Sequence, residues 1–305
     1  MQYNSYINGF KSFLQLERNL AENTVSAYLH DVSLLSHFLA EKKSGLSFTE
    51  ISVDDLRDFL KEIHEMGLGS YSQSRVISGI KSYFSFLLME KVITSNPAAL
   101  LESPRLGNKL PVVLTEEEVN SILQSVDLSE PEGERNKTIL EILYGCGLRV
   151  SELIDLRISH LHLNEEVILV TGKGNKQRLL PIGTAARNQL SIYLKEVRIR
   201  QIPKKEADDI VFLNRRGGQL SRQMIFLIIR KQVAKVGIQK TVGPHTFRHT
   251  FATHLVQHGA DLRAVQQLLG HVSITTTEIY THLNTNDLLD TLMRFHPQNH
   301  FVNKM

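Results

Sequence analysis

Residues 244–280 read PHTFRHTFATHLVQHGADLRAVQQLLGHVSITTTEIY. Pro244 suits the first position of a helix, where its missing N–H has no partner to lose, and Gly259 suits the left-handed position that ends one. Between them His245 and Arg248 fall at i and i+3, so they share one face, and that face is cationic. A second helix is expected over Leu262–Leu269, closed by Gly270, with His271 just past its end. Ser273 can cap a third helix that carries Tyr280. Four polar side chains, His245, Arg248, His271 and Tyr280, are therefore expected to converge from three short helices.

A tyrosine, two histidines and an arginine, with no carboxylate or cysteine among them, suit a phosphodiester. Arginine offers a planar fork of donors to phosphoryl oxygens, histidine donates or moves a proton, and a tyrosine hydroxyl can attack phosphorus. Two plainer readings compete, the first being that histidines on a helix with Phe247, Phe251 and Leu255 are satisfied core residues. His245, His249 and His254 could be a zinc helix, but no glutamate follows His245 and the single cysteine is distant in sequence. His249 and His254 are read as packing or capping residues. The order His245-Thr-Phe-Arg248, Leu269-Gly270-His271 and Glu278-Ile-Tyr280 resembles the active-site signature of the tyrosine recombinases, the phage-integrase family.

The chain has 305 residues, enough for two domains with separate cores. Its formal net charge is +3 and its sequence pI is near 8.8, so a nucleic-acid surface must come from local clustering of Lys and Arg rather than from a basic tail. The lone Cys146 excludes an intrachain disulfide and fits a reducing compartment. No apolar run is long enough to span a bilayer, and MQYNSYINGFKSF lacks the blocks of a signal peptide, so a cytoplasmic protein is expected.

The first hundred residues read as four helices. Ile7, Phe10, Phe13 and Leu14 make one apolar stripe, and Val25, Val32, Leu35 and Leu39 lie on a longer one. Ser52 and Asp55 form a capping box ahead of Leu56. A fourth helix from Ser70 is expected to bury Val76, Ile80, Phe84, Leu87 and Leu88. Its opposite face carries Arg75, Ser78, Gly79 and Ser82, with Lys81 at the border, and its small side chains are expected to let a partner such as DNA come close. Two prolines and a glycine in Ser103–Pro111 mark a linker, and Thr115 with Glu118 caps the start of a second domain.

In Tyr144-Gly-Cys-Gly-Leu-Arg-Val-Ser-Glu-Leu153, Gly145 and Gly147 are expected to break a helix and Ser151 to cap the next. Arg149 then stands in a tight turn beside a helix N-terminus; both are suited to an anion. Val167–Val170 and Arg178–Ile182 flank Thr171-Gly-Lys-Gly-Asn-Lys-Gln177, the pattern of a β-hairpin. Its glycines do not make a Walker loop, so ATP is not implied. Farther on, a short strand is expected over Ile210–Leu213 and a helix after Ser221 that ends at Gly237. Leu288, Leu289, Leu292 and Met293 form a terminal apolar stripe with no later sequence to cover it.

The resemblance spans essentially the whole chain. Asn19-Leu-Ala-Glu-Asn-Thr24, His258-Gly-Ala-Asp-Leu-Arg263 and Ile279-Tyr-Thr-His282 bring it nearest to bacterial Xer recombinases of the XerD type. It implies a mostly α fold with a small β-hairpin or sheet (α+β). An N-terminal four-helix, SAM-like core-binding domain over 1–102 would join, through a linker at 103–113, a catalytic domain over 114–305 with a C-terminal subunit-exchange helix, the two forming a C-shaped clamp on DNA. The family's Gly-Leu-Arg-x-Ser-Glu motif makes Arg149 the first catalytic arginine and Glu152 the residue that holds it; its hairpin makes Lys173 the catalytic lysine. With His245, Arg248, His271 and the nucleophile Tyr280 this completes the implied set. Arg75, Ser78, Lys81 and Ser82, with Lys176 and Arg178, become DNA contacts, whereas without the resemblance each is a solvated surface residue.

The implied reaction runs through a 3′-phosphotyrosyl intermediate and a Holliday junction, with no cofactor and no metal. The implied partners are double-stranded DNA with a specific site, a tetramer shared with a XerC-type recombinase, and activation by FtsK, most naturally in resolving chromosome dimers at the replication terminus. Integration of a mobile element and relaxation of the type IB topoisomerase kind are the alternatives, with a non-catalytic DNA-binding protein as a third.

Overall fold

The computed structural model of the chain describes residues 2–43, 46–104, 111–172, 175–270 and 285–301. Contacts divide it into two units, Met1–Lys109 and Leu110–Met305, each around its own apolar core. Most of the expected linker, residues 105–110, lies outside the described residues.

The first unit holds helices α1 (Gln2–Ser12), α2 (Glu22–Lys42), α3 (Val53–Glu65) and α4 (Ser70–Met89), with a π-helical turn at Phe13–Glu17. The Ser52 hydroxyl accepts the Asp55 N–H while the Asp55 carboxylate accepts the Ser52 N–H, which satisfies the exposed donors and starts α3 where the sequence puts it. On α4 two expectations are corrected. Leu88 is exposed, and Phe86 is buried instead because its ring packs against Phe10 and Phe13. Gly79 is buried rather than open to a partner: a Cβ there would stand 2.8 Å from Asp31 Oδ2, so the glycine lets α2 and α4 close over a buried carboxylate.

The second unit contains α5 (Glu116–Gln124), α6 (Gly133–Cys146) and α7 (Val150–Ile154), then a three-stranded antiparallel sheet. Its strands β1 (Leu161–His162), β2 (Val167–Thr171) and β3 (Gln177–Pro181) lie in that order, with Val170 opposite Arg178. Helices α8 (Thr184–Glu196), α9 (Arg222–Lys235), α10 (Pro244–Gln257), α11 (Leu262–Leu269), α12 (Thr285–Phe295) and α13 (Pro297–Phe301) follow. The Thr115–Glu118 capping box opens α5 as read from sequence. Ile210–Leu213 is no strand. Ile210 and Leu213 make only isolated bridges, to Arg157 and Gln219, and Val211, Phe212 and Leu213 are all buried without the alternation of a half-exposed strand.

The C-terminal stripe is corrected too, because it has a cover within its own unit. Leu292 is buried in the main core, Leu288 and Phe295 pack against that core, and α12 lies on β3, α10 and α11. Beyond it the His296 ring is buried beside the backbone carbonyl of Tyr144, and Gln298 donates to the buried Glu141. No described helix is long and apolar enough to cross a membrane.

Candidate active site

Helix α6 ends at Gly147, whose φ of +58° is left-handed and whose Cβ, if present, would stand 2.5 Å from the Phe251 ring. Only glycine fits there. Gly145, expected to help break the helix, lies inside α6. The turn makes Arg149, and not Ser151, the N-cap of α7. Glu152, one turn on, reaches back: Oε2 accepts the Arg149 N–H and Oε1 accepts Arg149 Nη1, both at 2.9 Å.

Arg248 meets this turn from α10. Its Nη1 donates to the Gly147 carbonyl at 2.7 Å and its Nη2 to the Leu269 carbonyl, while Arg149 Nη2 donates to the Gly270 carbonyl at 3.3 Å. The last carbonyls of α11 are thus taken by two guanidinium groups, which suits the negative end of a helix. Arg248 Nη1 is also 3.9 Å from Glu152 Oε2. Arg248 is 9% exposed in its side chain and Arg149 35%, so one is a fixed wall and the other an open hand. Burial, and after it the neighbouring charge of Arg149, pull the Arg248 pKa down to about 10, which leaves it protonated at neutral pH.

Glu152 itself is 1% exposed. Burial works to raise its pKa, but hydrogen bonds from Arg178, the Arg149 N–H and the Arg149 side chain outweigh burial and hold the carboxyl below the usual range. Arg178, read from sequence as a DNA contact, has a partner inside the fold: it grips Glu152 with Nη1 at 2.8 Å and Nη2 at 3.2 Å. Gly172, the last described residue before Lys173, lies against the same group, since a Cβ there would stand 3.6 Å from Glu152 Oε1.

His245 is exposed and shares with Arg248 a cavity of about 410 Å³, lined also by His249, Pro111, Val112 and Leu269. His249, expected to pack or to cap, is exposed on the same wall. His254 is indeed a buried packing residue: its ring bonds Tyr144 Oη at 2.8 Å and the Leu114 carbonyl at 2.9 Å, and burial lowers its pKa. A larger cavity of about 530 Å³ beside α9 also holds cations. There, however, Arg215 pairs with Glu132, Lys231 with Glu130, and Arg135 donates to the Leu213 carbonyl, so these three side chains already have partners within the fold. Lys173, His271 and Tyr280 lie outside the described residues.

In the first unit, Arg75 is only partly available. Its Nη1 donates to Asp31 Oδ1 at 2.5 Å and to the Ala27 carbonyl at 3.2 Å. Burial raises the Asp31 pKa against the pull of Arg75. Ser78 is exposed one turn on, its hydroxyl donating to the Ser74 carbonyl, and Lys81 and Ser82 are half-buried. Lys176 is exposed beside the hairpin turn.

Residues 112–287 match the Phage integrase family, and residues 7–91 match its N-terminal SAM-like domain. The chain belongs to the phage integrase family. This tyrosine recombinase is 42% identical over 292 residues to the tyrosine recombinase XerD of Chlorobaculum tepidum, covering 95% of each chain. It is 39% identical over 296 residues to the tyrosine recombinase XerC of Anoxybacillus flavithermus, covering 97% of this chain and 98% of that one. The likeness therefore extends to recombinases of both the XerC and the XerD name. The crystal structure of the XerH site-specific recombinase in a post-cleavage complex with a palindromic difH substrate shares the fold, at a TM-score of 0.68 and 23% identity, covering 94% of this chain and 80% of that one.

Proposed function

We propose that this tyrosine recombinase exchanges DNA strands at a specific site with Tyr280 as its nucleophile. The tyrosine oxygen bonds to the scissile phosphorus as the bond to the 5′-oxygen breaks, which leaves a 3′-phosphotyrosyl link and a free 5′-hydroxyl. His245 takes or shares the phenol proton, and Lys173 protonates the departing oxygen. A 5′-hydroxyl from another strand then reverses the step, so the bond energy is kept without ATP. The single observation that carries this reading is the convergence of Arg149 and Arg248 on adjacent carbonyls, at 3.3 Å from Gly270 and on Leu269, directly before His271 in the chain. Two guanidinium groups held on adjacent carbonyls suit the two non-bridging oxygens of a phosphodiester. Loss of one such preorganised donor typically costs about a hundred- to thousandfold in rate.

The reading extends to the DNA grip, in which the face of α4 with Arg75, Ser78, Lys81 and Ser82, and Lys176 at the hairpin, meet the two sides of a duplex held as in a clamp. It also extends to the assembly: a tetramer on two sites, shared with a XerC-type recombinase, resolving chromosome dimers with help from FtsK. There, α12 would leave its own core for a neighbour's. The XerC and XerD names of the relatives support this biology.

The test is strand exchange. Two labelled duplexes carrying a site selected from a random-sequence pool by the protein's own binding are incubated with it, alone and with a XerC-type partner, in chelator and without ATP. Recombinant product or Holliday junction is expected. Relaxation of any supercoiled plasmid, with no junction between sites, would instead favour a topoisomerase-like enzyme.

A further inference from the structure

Among the described residues of the site, Arg178 is a charge to which the proposed chemistry gives no task. Both its terminal nitrogens donate to Glu152, which also receives the Arg149 N–H and Nη1 and lies 3.9 Å from Arg248. One buried carboxylate is therefore shared among three guanidinium groups. Bidentate pairing of this kind fixes geometry as well as charge. The fold makes room for it: Gly270 has a φ of +65°, and a Cβ there would stand 2.8 Å from Arg178 Nε. Among the described residues that Nε is buried without a hydrogen-bond partner, and the side chain's hydrogen bonds there run to Glu152.

The charge count gives the pairing its meaning. A phosphodiester monoanion attacked by a tyrosine oxygen passes through a five-coordinate arrangement with two negative charges on its non-bridging oxygens. Arg149 and Arg248 match that pair only if their own positive charges are not cancelled locally. Glu152 is needed to anchor Arg149, yet alone it would cancel one of the two. Resting on the reading that Arg149 and Arg248 bind the scissile phosphate, we infer that Arg178 is a positioning residue that acts through Glu152. It neutralises and locks the carboxylate, so that Glu152 can hold Arg149 without reducing the net positive charge offered to the phosphate.

The competing view is the one suggested by sequence, that Arg178 touches a DNA phosphate directly. Three measurements on the full chain separate the two. Cleavage of a nicked suicide duplex, carrying the site selected from a random pool, is followed in single turnover for the wild type, Arg178→Gln, Glu152→Gln and the double variant. We expect Arg178→Gln to be slower by about a hundred- to thousandfold when Glu152 is intact, and to matter by no more than a few fold in the Glu152→Gln background, where no carboxylate remains to be neutralised. Half-site binding should keep its salt dependence, because a lost phosphate contact would lower the slope of log K against log salt by about 0.9. A duplex with a methylphosphonate at the scissile position has one negative charge fewer, and it should narrow the gap between Arg178→Gln and the wild type.

Equal cost in both backgrounds, or a reduced salt slope, overturns the inference in favour of a direct contact, as does a wild-type rate for Arg178→Gln. If Arg178→Gln does not melt cooperatively, Arg178→Lys, which keeps the charge but not the fork, is compared in the same two backgrounds: it should lose less rate than the Gln variant is expected to when Glu152 is intact, and change by no more than a few fold in the Glu152→Gln background, and an equal cost in both overturns the inference. Absence of any adduct with the wild type overturns the underlying reading, and the inference with it.

Discussion

Arg248 gives Nη1 to Gly147 and Nη2 to Leu269, so its guanidinium plane is set before any substrate arrives. Such a group acts on charge at the non-bridging oxygens whatever the leaving group, whereas a general acid acts only on the leaving oxygen. A sulfur in the 5′-bridging position leaves as a thiolate of pKa near ~8.5 and needs no proton. On sulfur-substituted DNA, Lys173→Ala should therefore cleave at nearly the wild-type rate, although on ordinary DNA it should be slower by roughly a hundred- to ten-thousandfold. Arg248→Ala should stay slow on both. Rescue of the arginine variant and not of the lysine variant would reverse the two roles and make His245 the next candidate for the acid. Glu152 makes a pH prediction. Its folded-state pKa is depressed, so its stabilisation is complete above the ordinary glutamate pKa of about 4.3 and fades as pH falls through the folded value. Melting temperatures of the wild type and Glu152→Gln should differ at neutral pH and converge below about pH 4; a constant gap down to pH 2 would contradict this. Short spacings set the directions of Arg149 at the start of α7 and of His245 and Arg248 along α10, whereas Glu152 was named from the motif that resembles the family's. The pairing of Arg178 with Glu152 was not legible, because the two are 26 residues apart on different elements and no local pattern records such a contact.

Helices were legible where their ends are chemical. The capping boxes at Ser52 and Thr115, Ser221 before α9, Pro244 before α10 and Gly270 after α11 all stand where the residues put them. What periodicity did not reveal was the neighbour each face meets. On α4, Gly79 looked like room for DNA and proved to be room for Asp31, so Gly79→Ala should cost about 1–3 kcal/mol through overpacking against a short side chain that has nowhere to move. Denaturant unfolding of the first unit would measure it, and unchanged stability would show that α2 and α4 can separate freely. On α12, Leu292 looked uncovered and proved to be core, so Leu292→Ala should cost about 2–5 kcal/mol in the catalytic unit. If stability held while cooperative DNA binding fell, α12 would be working on a neighbour and not on its own core.

Across the whole molecule, two family matches account for most of the chain, 7–91 and 112–287. Each corresponds to a part with its own core, and the sequence showed this through the break at Ser103–Pro111. The central claim is that the arginine pair of the second unit serves an attack by Tyr280. The most direct measurement traps the intermediate: wild-type protein is incubated with a suicide duplex whose nick releases the strand behind the cleavage point, and the adduct is digested and sequenced by mass spectrometry. The account predicts a gel-stable complex joined through Tyr280 to a 3′-phosphate, absent from Tyr280→Phe although that variant still binds the site. A link through another residue, attachment at a 5′ end, or an adduct formed by Tyr280→Phe would contradict it.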